Sequence, residues 1–338
     1  MDKVAVVILN YNGEDVLGRF LPSVVDNTPG VPVIVVDNGS TDGSVALLER
    51  DFPSVRTIRL DRNHGFAEGY NKALELVDAE YSLLLNSDVE VTPGWIEPLV
   101  AVMDADDAIA ACQPKVLDYK RKTHFEYSGA AGGFIDRYGY PYCRGRIFDT
   151  VEEDRGQYDT VCELFWATGA AFMVRTAAFR AVGGLDSDFF AHMEEIDLCW
   201  RLRARGYRIL CVPDSRVYHV GGATLSAANP QKTYLNFRNN LLMLYKNLPG
   251  KELACVMRVR CILDYVAALK FALSGDWAHC KAVVKARRDY KRIKNDYMAV
   301  RKANLAATVD NDINERGSFM LLWRYYASGA KSYSRLNR

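Results

Sequence analysis

The eight cysteines include no C-x-x-C pair and no metal-finger spacing, so they read as reduced, mostly buried cytosolic thiols. No run of about 18 uninterrupted apolar residues occurs. The longest candidate, residues 254–273, is broken by Arg258, Arg260, Asp264 and Lys270, which argues against a spanning helix. Residues 1–10 carry no basic leader and pass straight into an apolar run, so no signal peptide is expected. No G-x-G-x-x-G follows that run, which disfavours a dinucleotide-binding dehydrogenase. Residues 10–20 also lack the glycine-rich basic loop that a sugar nucleotidylyltransferase needs for its triphosphate. Internal repeats and low-complexity tracts are missing too.

Net charge is small, +1 over 338 residues, but it hides a split. Residues 251–338 hold 18 Lys+Arg against 8 Asp+Glu, a net of +10, which leaves −9 for residues 1–250. A basic tail is drawn to an anionic partner, either nucleic acid or phospholipid. No nucleic-acid-binding module accompanies it, so no nucleic-acid partner is expected. Within it Ala286, Tyr290, Ile293, Tyr297 and Val300 follow helical steps, ringed by Lys281, Lys285, Arg287, Arg288, Lys291, Arg292 and Lys294. Two readings stand: a helix packed on the body with a solvated basic face, or a peripheral helix on an anionic membrane.

What is present is alternation. Short runs rich in Val, Ile and Leu at 4–9, 33–36, 55–58 and 81–85 read as buried parallel strands. Amphipathic segments at 14–25, 44–50, 67–77 and 95–103 read as the helices between them. Such alternation implies an open, doubly wound α/β sheet with right-handed crossovers and ligands beyond the carboxyl ends of the strands. Residues 118–160 read as a loop or short antiparallel excursion, 165–174 as a turn entering a buried strand, and 198–204 as a helix closed by Gly206. A strand follows at 209–212, then Val217 to Gly222 lead into a loop ending near Pro230. After Tyr234 the pattern is helical, with breaks at Pro249-Gly250, at Ser274-Gly275 and around 308–317.

Every strand end carries short polar residues or glycine. Asn10-Tyr11-Asn12-Gly13 follows the first, Asp37-Asn38-Gly39-Ser40-Thr41-Asp42 the second, Asn63-His64-Gly65-Phe66 the third, and Asn86-Ser87-Asp88 the fourth. Taken singly these are ordinary turn and cap residues. Four in succession at one sheet edge point to a ligand site. Further on, Gly183-Gly184-Leu185-Asp186 and Phe189-Phe190 lead to Glu194-Glu195-Ile196-Asp197, three carboxylates within four residues at the start of a helix. Acids also favour a first helical turn without any chemistry.

In these motifs, with Gly69-Tyr70-Asn71, the Trp166–Ala170 turn and Leu198, the chain resembles the family 2 glycosyltransferases of GT-A fold, most closely the bacterial rhamnosyltransferase-like branch. The resemblance spans roughly residues 3–225. It implies a mixed, mostly parallel α/β sheet flanked by helices. It also implies an inverting transferase acting on a nucleotide-diphosphate sugar, with dTDP-rhamnose as first donor and a UDP-hexose as the alternative. The acceptor is then a glycan or polyprenyl-diphosphate-linked sugar of a cell-surface polysaccharide. A catalytically silent scaffold is the reading from outside the enzymes.

Carried over residue by residue, Asp37 is the pyrimidine-recognising position and Asn10 and Asn63 lie beside the nucleoside. Asn12, Asn38, Ser40, Gly65, Phe66, Asn71, Asn86 and Ser87 complete the donor site. Asp88 takes the last acidic position of a metal-binding D-x-D motif, and His219 completes the metal site. Asn86 stands where that motif often has its first acid. Glu195 takes the place of a catalytic aspartate, with Glu194 and Asp197 as alternatives. Trp166, Thr168 and Gly169 face the sugar or acceptor, although Trp166 reads nearly as well as a core residue.

A Mg²⁺ or Mn²⁺ ion is implied, because a hard cation neutralises charge on a departing diphosphate. A histidine ligand tilts the choice toward Mn²⁺. The expected organisation is a catalytic domain over 1–240, with its nucleotide-sugar half at about 1–115 and its acceptor half at about 116–240. A basic helical region over 241–338 follows. The protein is expected in the cytoplasm or on the inner face of the cell membrane, with a homo-oligomer left open.

Overall fold

The computed structural model describes residues 1–221 and 228–336. Strand β1 (Asp2–Asn10) is followed by α1 (Glu14–Asp26), β2 (Val33–Asp37), α2 (Ser44–Asp51), β3 (Arg56–Arg59), α3 (Gly65–Glu75) and β4 (Ala79–Asn86). Then come β5 (Val89–Val91), α4 (Glu97–Ala105) and β6 (Ile109–Asp118). Val4 to Ile8 of β1 are each no more than 5% exposed, as expected of a strand covered on both faces. Leu17, Leu21 and Val24 form the apolar stripe that seats α1 on one face of the sheet, with α2 and α4 beside it.

Residues 118–160 do form an antiparallel excursion: β7 (Gly133–Asp136), β8 (Pro141–Cys143), β9 (Arg146–Ile147) and β10 (Thr150–Val151). The chain returns through β11 (Cys162–Glu163), β12 (Ala171–Arg175), α5 (Thr176–Ala181), α6 (Glu194–Ala204) and β13 (Arg208–His219). Among the described residues the main sheet runs β11-β13-β6-β12-β4-β1-β2-β3, with β5 also on β13. Strand β12 is antiparallel to both β4 and β6, β11 is antiparallel to β13, and β1 to β4 are mutually parallel, as are β6 and β13. One edge of the sheet therefore gathers the carboxyl ends of β1–β4, β6 and β13 with the start of β12.

The C-terminal elements are α7 (Pro230–Asn247), α8 (Gly250–Leu273), α9 (Trp277–Ile293), α10 (Met298–Ala306), β14 (Arg316–Gly317) and α11 (Tyr333–Leu336). Strand β14 adds to β7. Leu241 to Leu244 of α7, Val256 of α8 and Tyr290 of α9 share one apolar core with α3, α5 and α6. The loop expected between His219 and Pro230 lies largely outside the described residues, as does Gly222.

Two expectations about the tail are corrected. The helical seam does not run on to Val300: α9 ends at Ile293, and a turn at 294–297 separates it from α10. The seam is also not available to a membrane, because Val283, Ala286 and Tyr290 are buried. Tyr234 of α7 donates its hydroxyl to Asp289 (3.0 Å), and Arg287 pairs with the buried Asp264 of α8. The packed reading of α9 is the one the structure shows.

Candidate active site at the carboxyl edge of the sheet

The first two strand ends lock together. Asn10 Nδ2 donates to Asp37 Oδ1 (3.4 Å) and Ser40 Oγ (3.2 Å), and Asp37 Oδ2 accepts from the Ser40 amide (3.1 Å). Asn12, at φ 50°, donates its amide to Ser40 Oγ (2.9 Å) and accepts from the Thr41 amide (2.7 Å). Gly39 is required between them: at φ 75° its backbone passes so close to Arg62 that a Cβ would sit 2.5 Å from the Arg62 Cα. Asn10 Oδ1 is buried with no partner among the described residues, so this cradle has an unused polar atom.

The third strand end is tied to the second. Asn38 Nδ2 donates to Asn63 Oδ1 (3.2 Å) and to the Gly65 carbonyl (3.0 Å), while its Oδ1 accepts from the His64 amide (2.9 Å). Asn63 Oδ1 also accepts from the Gly65 amide (2.8 Å). The Phe66 amide donates to the Phe190 carbonyl (2.7 Å), which brings the loop before α6 onto the start of α3. Gly169, half-buried, faces the Phe66 ring.

At the fourth strand end, Asn86 donates its amide to the Ala170 carbonyl (3.0 Å), and Ser87 is half-buried beside it. Asp88 Oδ1 stands 3.1 Å from His219 Nε2, and Asn86 Nδ2 stands 3.4 Å from the same nitrogen. On the far side of the ring Glu126 Oε1 lies 3.3 Å from Nδ1, an electrostatic contact whose angle is too poor for a hydrogen bond. Burial opposes a charged imidazole here, but Glu126 and Asp88 outweigh it and raise the His219 pKa to about 10. Burial likewise raises the Asp88 and Glu126 carboxyls, and the histidine more than reverses this, leaving both lowered.

Two of these side chains suit a hard divalent cation. Ligands about 2.1 Å from a metal at a right angle lie about 3.0 Å apart, close to the Asp88–His219 spacing. A carboxylate behind the ring is the usual support for a metal-bound histidine. Among the described residues no group of three His, Cys, Asp or Glu side chains surrounds a common centre. A cation held by Asp88 and His219 would take its other ligands from phosphate oxygens and water, the usual balance for Mg²⁺.

The acidic triplet occupies the first turn of α6. Before it Phe190, His192 and Met193 all have positive φ (64°, 71° and 72°), a conformation that costs non-glycine residues energy. Asn239 of α7 holds this loop by donating Nδ2 to the carbonyls of Phe189 (3.0 Å), Ala191 (2.9 Å) and His192 (2.7 Å). The strain is thus fixed by a neighbouring helix and aims the helix start. Glu195 keeps part of its surface in solvent, but its Oε2 is buried with no partner among the described residues, and burial raises its pKa to about 7. Glu194 is driven well above the ordinary carboxyl range by burial and by the Glu195 charge. His192 is pushed down to about 4, by burial and by Lys232. Lys232 is also within electrostatic reach of Glu126, so α7 spans the histidine pair and the strained loop.

Four expected site residues are not placed for that work. Asp197 is fully buried and bonded to Lys246 (2.8 Å), Arg201 (2.9 Å) and Asn247 (2.9 Å), so it is closed to an acceptor hydroxyl and tied up by two cations. Asn71 is consumed in tying α3 to the Leu185 backbone, donating to its carbonyl (2.8 Å) and accepting from its amide (2.9 Å). Trp166 is 2% exposed, packed on Gly133, with its indole N–H donated to the Phe134 carbonyl (2.8 Å). Thr168 is buried, its amide on Gln113 (2.9 Å) and its hydroxyl accepting from the Ala170 amide (3.2 Å). Glu126 and Asn239 are the residues that sequence reasoning missed. The only local signal for Glu126 is the Ser128-Gly129 turn, whose amides it accepts.

Residues 5–183, over half of the chain, match the family described as glycosyl transferase family 2. The chain is 28% identical over 234 residues to the N-acetylglucosaminyl-diphospho-decaprenol L-rhamnosyltransferase of Mycobacterium tuberculosis, covering 64% of this chain and 76% of that protein. It is 26% identical over 238 residues to the O-antigen biosynthesis protein RfbC of Myxococcus xanthus, covering 69% of this chain and 18% of that one. In three dimensions it resembles GalNAc-T7, solved with UDP, GalNAc and Mn²⁺, at a TM-score of 0.57 and 16% identity. That likeness covers 88% of this chain and 57% of GalNAc-T7. It shows a GT-A fold.

Proposed function

The chain belongs to glycosyl transferase family 2, and from that premise we propose that it moves a sugar from a nucleoside-diphosphate donor to a hydroxyl of a lipid-linked glycan, inverting the anomeric carbon, in cell-surface polysaccharide assembly. The donor we favour is dTDP-rhamnose, on the motifs and on the name of the mycobacterial relative. That name also supports a polyprenyl-diphosphate acceptor, and hence work at a membrane surface. The observation that carries the reading is Glu195: a desolvated carboxyl, its pKa raised by burial to about 7, on the first turn of α6 behind the loop whose Phe190 carbonyl accepts from the Phe66 amide.

The nucleoside lies in the cradle of Asn10, Asn12, Asp37, Asn38, Ser40 and Asn63, where Asp37 can accept from a ring N–H. A divalent cation held by Asp88 and His219, with Asn86 beside them, would supply positive charge against the diphosphate. Glu126 keeps the imidazole oriented for that role. Glu195 takes the proton from the acceptor hydroxyl as the new C1–O bond forms. The C1–O bond to the diphosphate breaks on the opposite face, and its electron pair leaves with the phosphate oxygen. Attack from the face away from the leaving diphosphate inverts the centre. Burial and the Glu195 charge both raise the Glu194 pKa, which disfavours a second carboxylate at this point.

Assay with dTDP-rhamnose and UDP-hexoses, a polyprenyl-diphosphate N-acetylglucosamine acceptor and Mn²⁺ or Mg²⁺ tests this. Product of inverted configuration by NMR from one donor is expected. Retained configuration, or no transfer from any donor, overturns the reading.

A further inference from the structure

Helix α8 buries one side and leaves the other apolar. Its inner positions Val256, Arg260, Asp264 and Ala268 recur every fourth residue and are buried. Its outer positions Ile262, Tyr265, Val266, Leu269 and Leu273 are all exposed, Ile262 at 66% and Leu273 at 80%. They fall on one stripe by helical spacing. Trp277, the first residue of α9 just past the end of α8, is also exposed, at 61%. Exposed apolar residues scattered singly need no explanation, but a continuous stripe along a helix does.

A second segment lies alongside. Lys270 on α8 stands over the Tyr326 ring (5.9 Å to its centroid), which places the wide turn Trp323–Ala327 next to the stripe. Trp323 and Tyr326 are both exposed there. Tyrosine and tryptophan, with an apolar body and a polar tip, suit a water–lipid boundary.

The charges decide what covers this face. Lys251, Arg258 and Lys270 are the exposed charged residues of α8. Its two acids are turned away: Asp264 is buried between Arg260 and Arg287, and Glu252 pairs with Arg316. Beyond Glu315 the chain holds no Asp or Glu at all. A symmetric contact with a second copy would set Lys251, Arg258 and Lys270 against themselves, and the acids near the face, Asp276 beside Trp277 and Asp149 near Tyr326, are fewer than these cations. An anionic, apolar-cored surface answers both features.

We propose that the outer face of α8, with Trp277 and the Trp323–Ala327 turn, docks on an anionic phospholipid bilayer as an interfacial helix that lies on the membrane without crossing it. No described helix is long and apolar enough to cross one. This goes beyond the proposed transfer: it states where the protein sits, and it stands or falls without reference to the donor.

The test is flotation of the full chain with phosphatidylcholine vesicles, with and without phosphatidylglycerol, and sedimentation of the free protein. Ile262→Glu/Leu269→Glu and Arg258→Glu/Lys270→Glu double variants, with melting curves to confirm folding, complete the set. We expect the wild-type protein to float with phosphatidylglycerol-containing vesicles and each double variant to lose most of that recovery. Transfer to a water-soluble acceptor should stay unchanged, which separates this outcome from failure of the transferase reading. Wild type remaining in the soluble fraction, equal flotation with phosphatidylcholine alone, or equal flotation of folded variants overturns the proposal. A dimer that dissociates in the Ile262→Glu/Leu269→Glu variant overturns it in favour of a second copy.

Discussion

Glu195 and Asp197 stand two positions apart on the first turn of α6, yet their carboxyls are in opposite states. Asp197 is ringed by Lys246, Arg201 and Asn247, and although burial raises its pKa, these partners bring it below the ordinary range. Glu195 is desolvated with no cation beside it, and its pKa rises to about 7. A base for neutral solution needs the second environment and a structural anchor the first. A helix turn advances about 100° per residue, so two positions suffice to face opposite surroundings.

Asp197→Asn removes the negative member of a buried cluster and leaves Lys246 and Arg201 under-compensated. We expect a loss of about 3–5 kcal/mol in denaturant unfolding. The sign with pH follows from the lowered pKa: the contribution is present above the unfolded value and fades as pH falls through the folded one, so variant and wild type converge in acid. Full stability at neutral pH in the variant would contradict the anchor role.

The pH dependence of transfer should show an acid limb near pH 7, because Glu195 works only when ionised. The same shift acts on stability. A carboxyl whose pKa is higher folded than unfolded stabilises below its unfolded value, near 4.5, and loses that contribution as pH rises through 7. Glu195→Gln should therefore raise stability at pH values above 7 by ~2 kcal/mol, allowing for partial solvent screening, with the gap closing toward pH 4–5. Paired melting curves across that range check it.

Glu126→Gln keeps the side chain able to accept from the Ser128 and Gly129 amides but removes the charge behind His219. We expect Mn²⁺ affinity to fall roughly 10–100-fold with the fold intact. Calorimetric titration of Mn²⁺ into the nucleotide-bound protein reads it, and unchanged affinity would remove Glu126 from the site.

Trp166→Ala should cost about 3–5 kcal/mol in unfolding free energy, since it empties a core position packed on Gly133. The folded fraction should bind nucleotide as wild type does. A weakened nucleotide or acceptor affinity with stability unchanged would return this ring to the ligand.

The sheet edge was legible because buried parallel strands leave unbroken apolar runs, and the polar residues that follow each run fall on the same side. Asp88 and His219 could be named together only through the family resemblance, since they approach through β5 and β13, which pair residue for residue at the far end of the sheet. Glu126 was not legible: it comes from the irregular excursion and meets His219 only once β6 and β13 are aligned. Trp166 admits both readings because a ring over a ligand and a ring over Gly133 leave the same trace in one sequence, and the structure sets it on Gly133. Arg258 and Arg260 look alike in the α8 run, but one faces solvent and the other fills the core beneath Tyr138 and Asn240. The break after Ile293 carries neither proline nor glycine, so the helical seam read straight through it.

Glu195→Gln, assayed for transfer and for dTDP and UDP binding on the same preparation, separates catalysis from donor recognition in one step. Turnover should fall by about a thousandfold or more while nucleotide affinity stays near wild type. A variant that transfers at close to the wild-type rate would show that the proton leaves by another group, and Glu195 would then be a helix-start acid without a part in the chemistry.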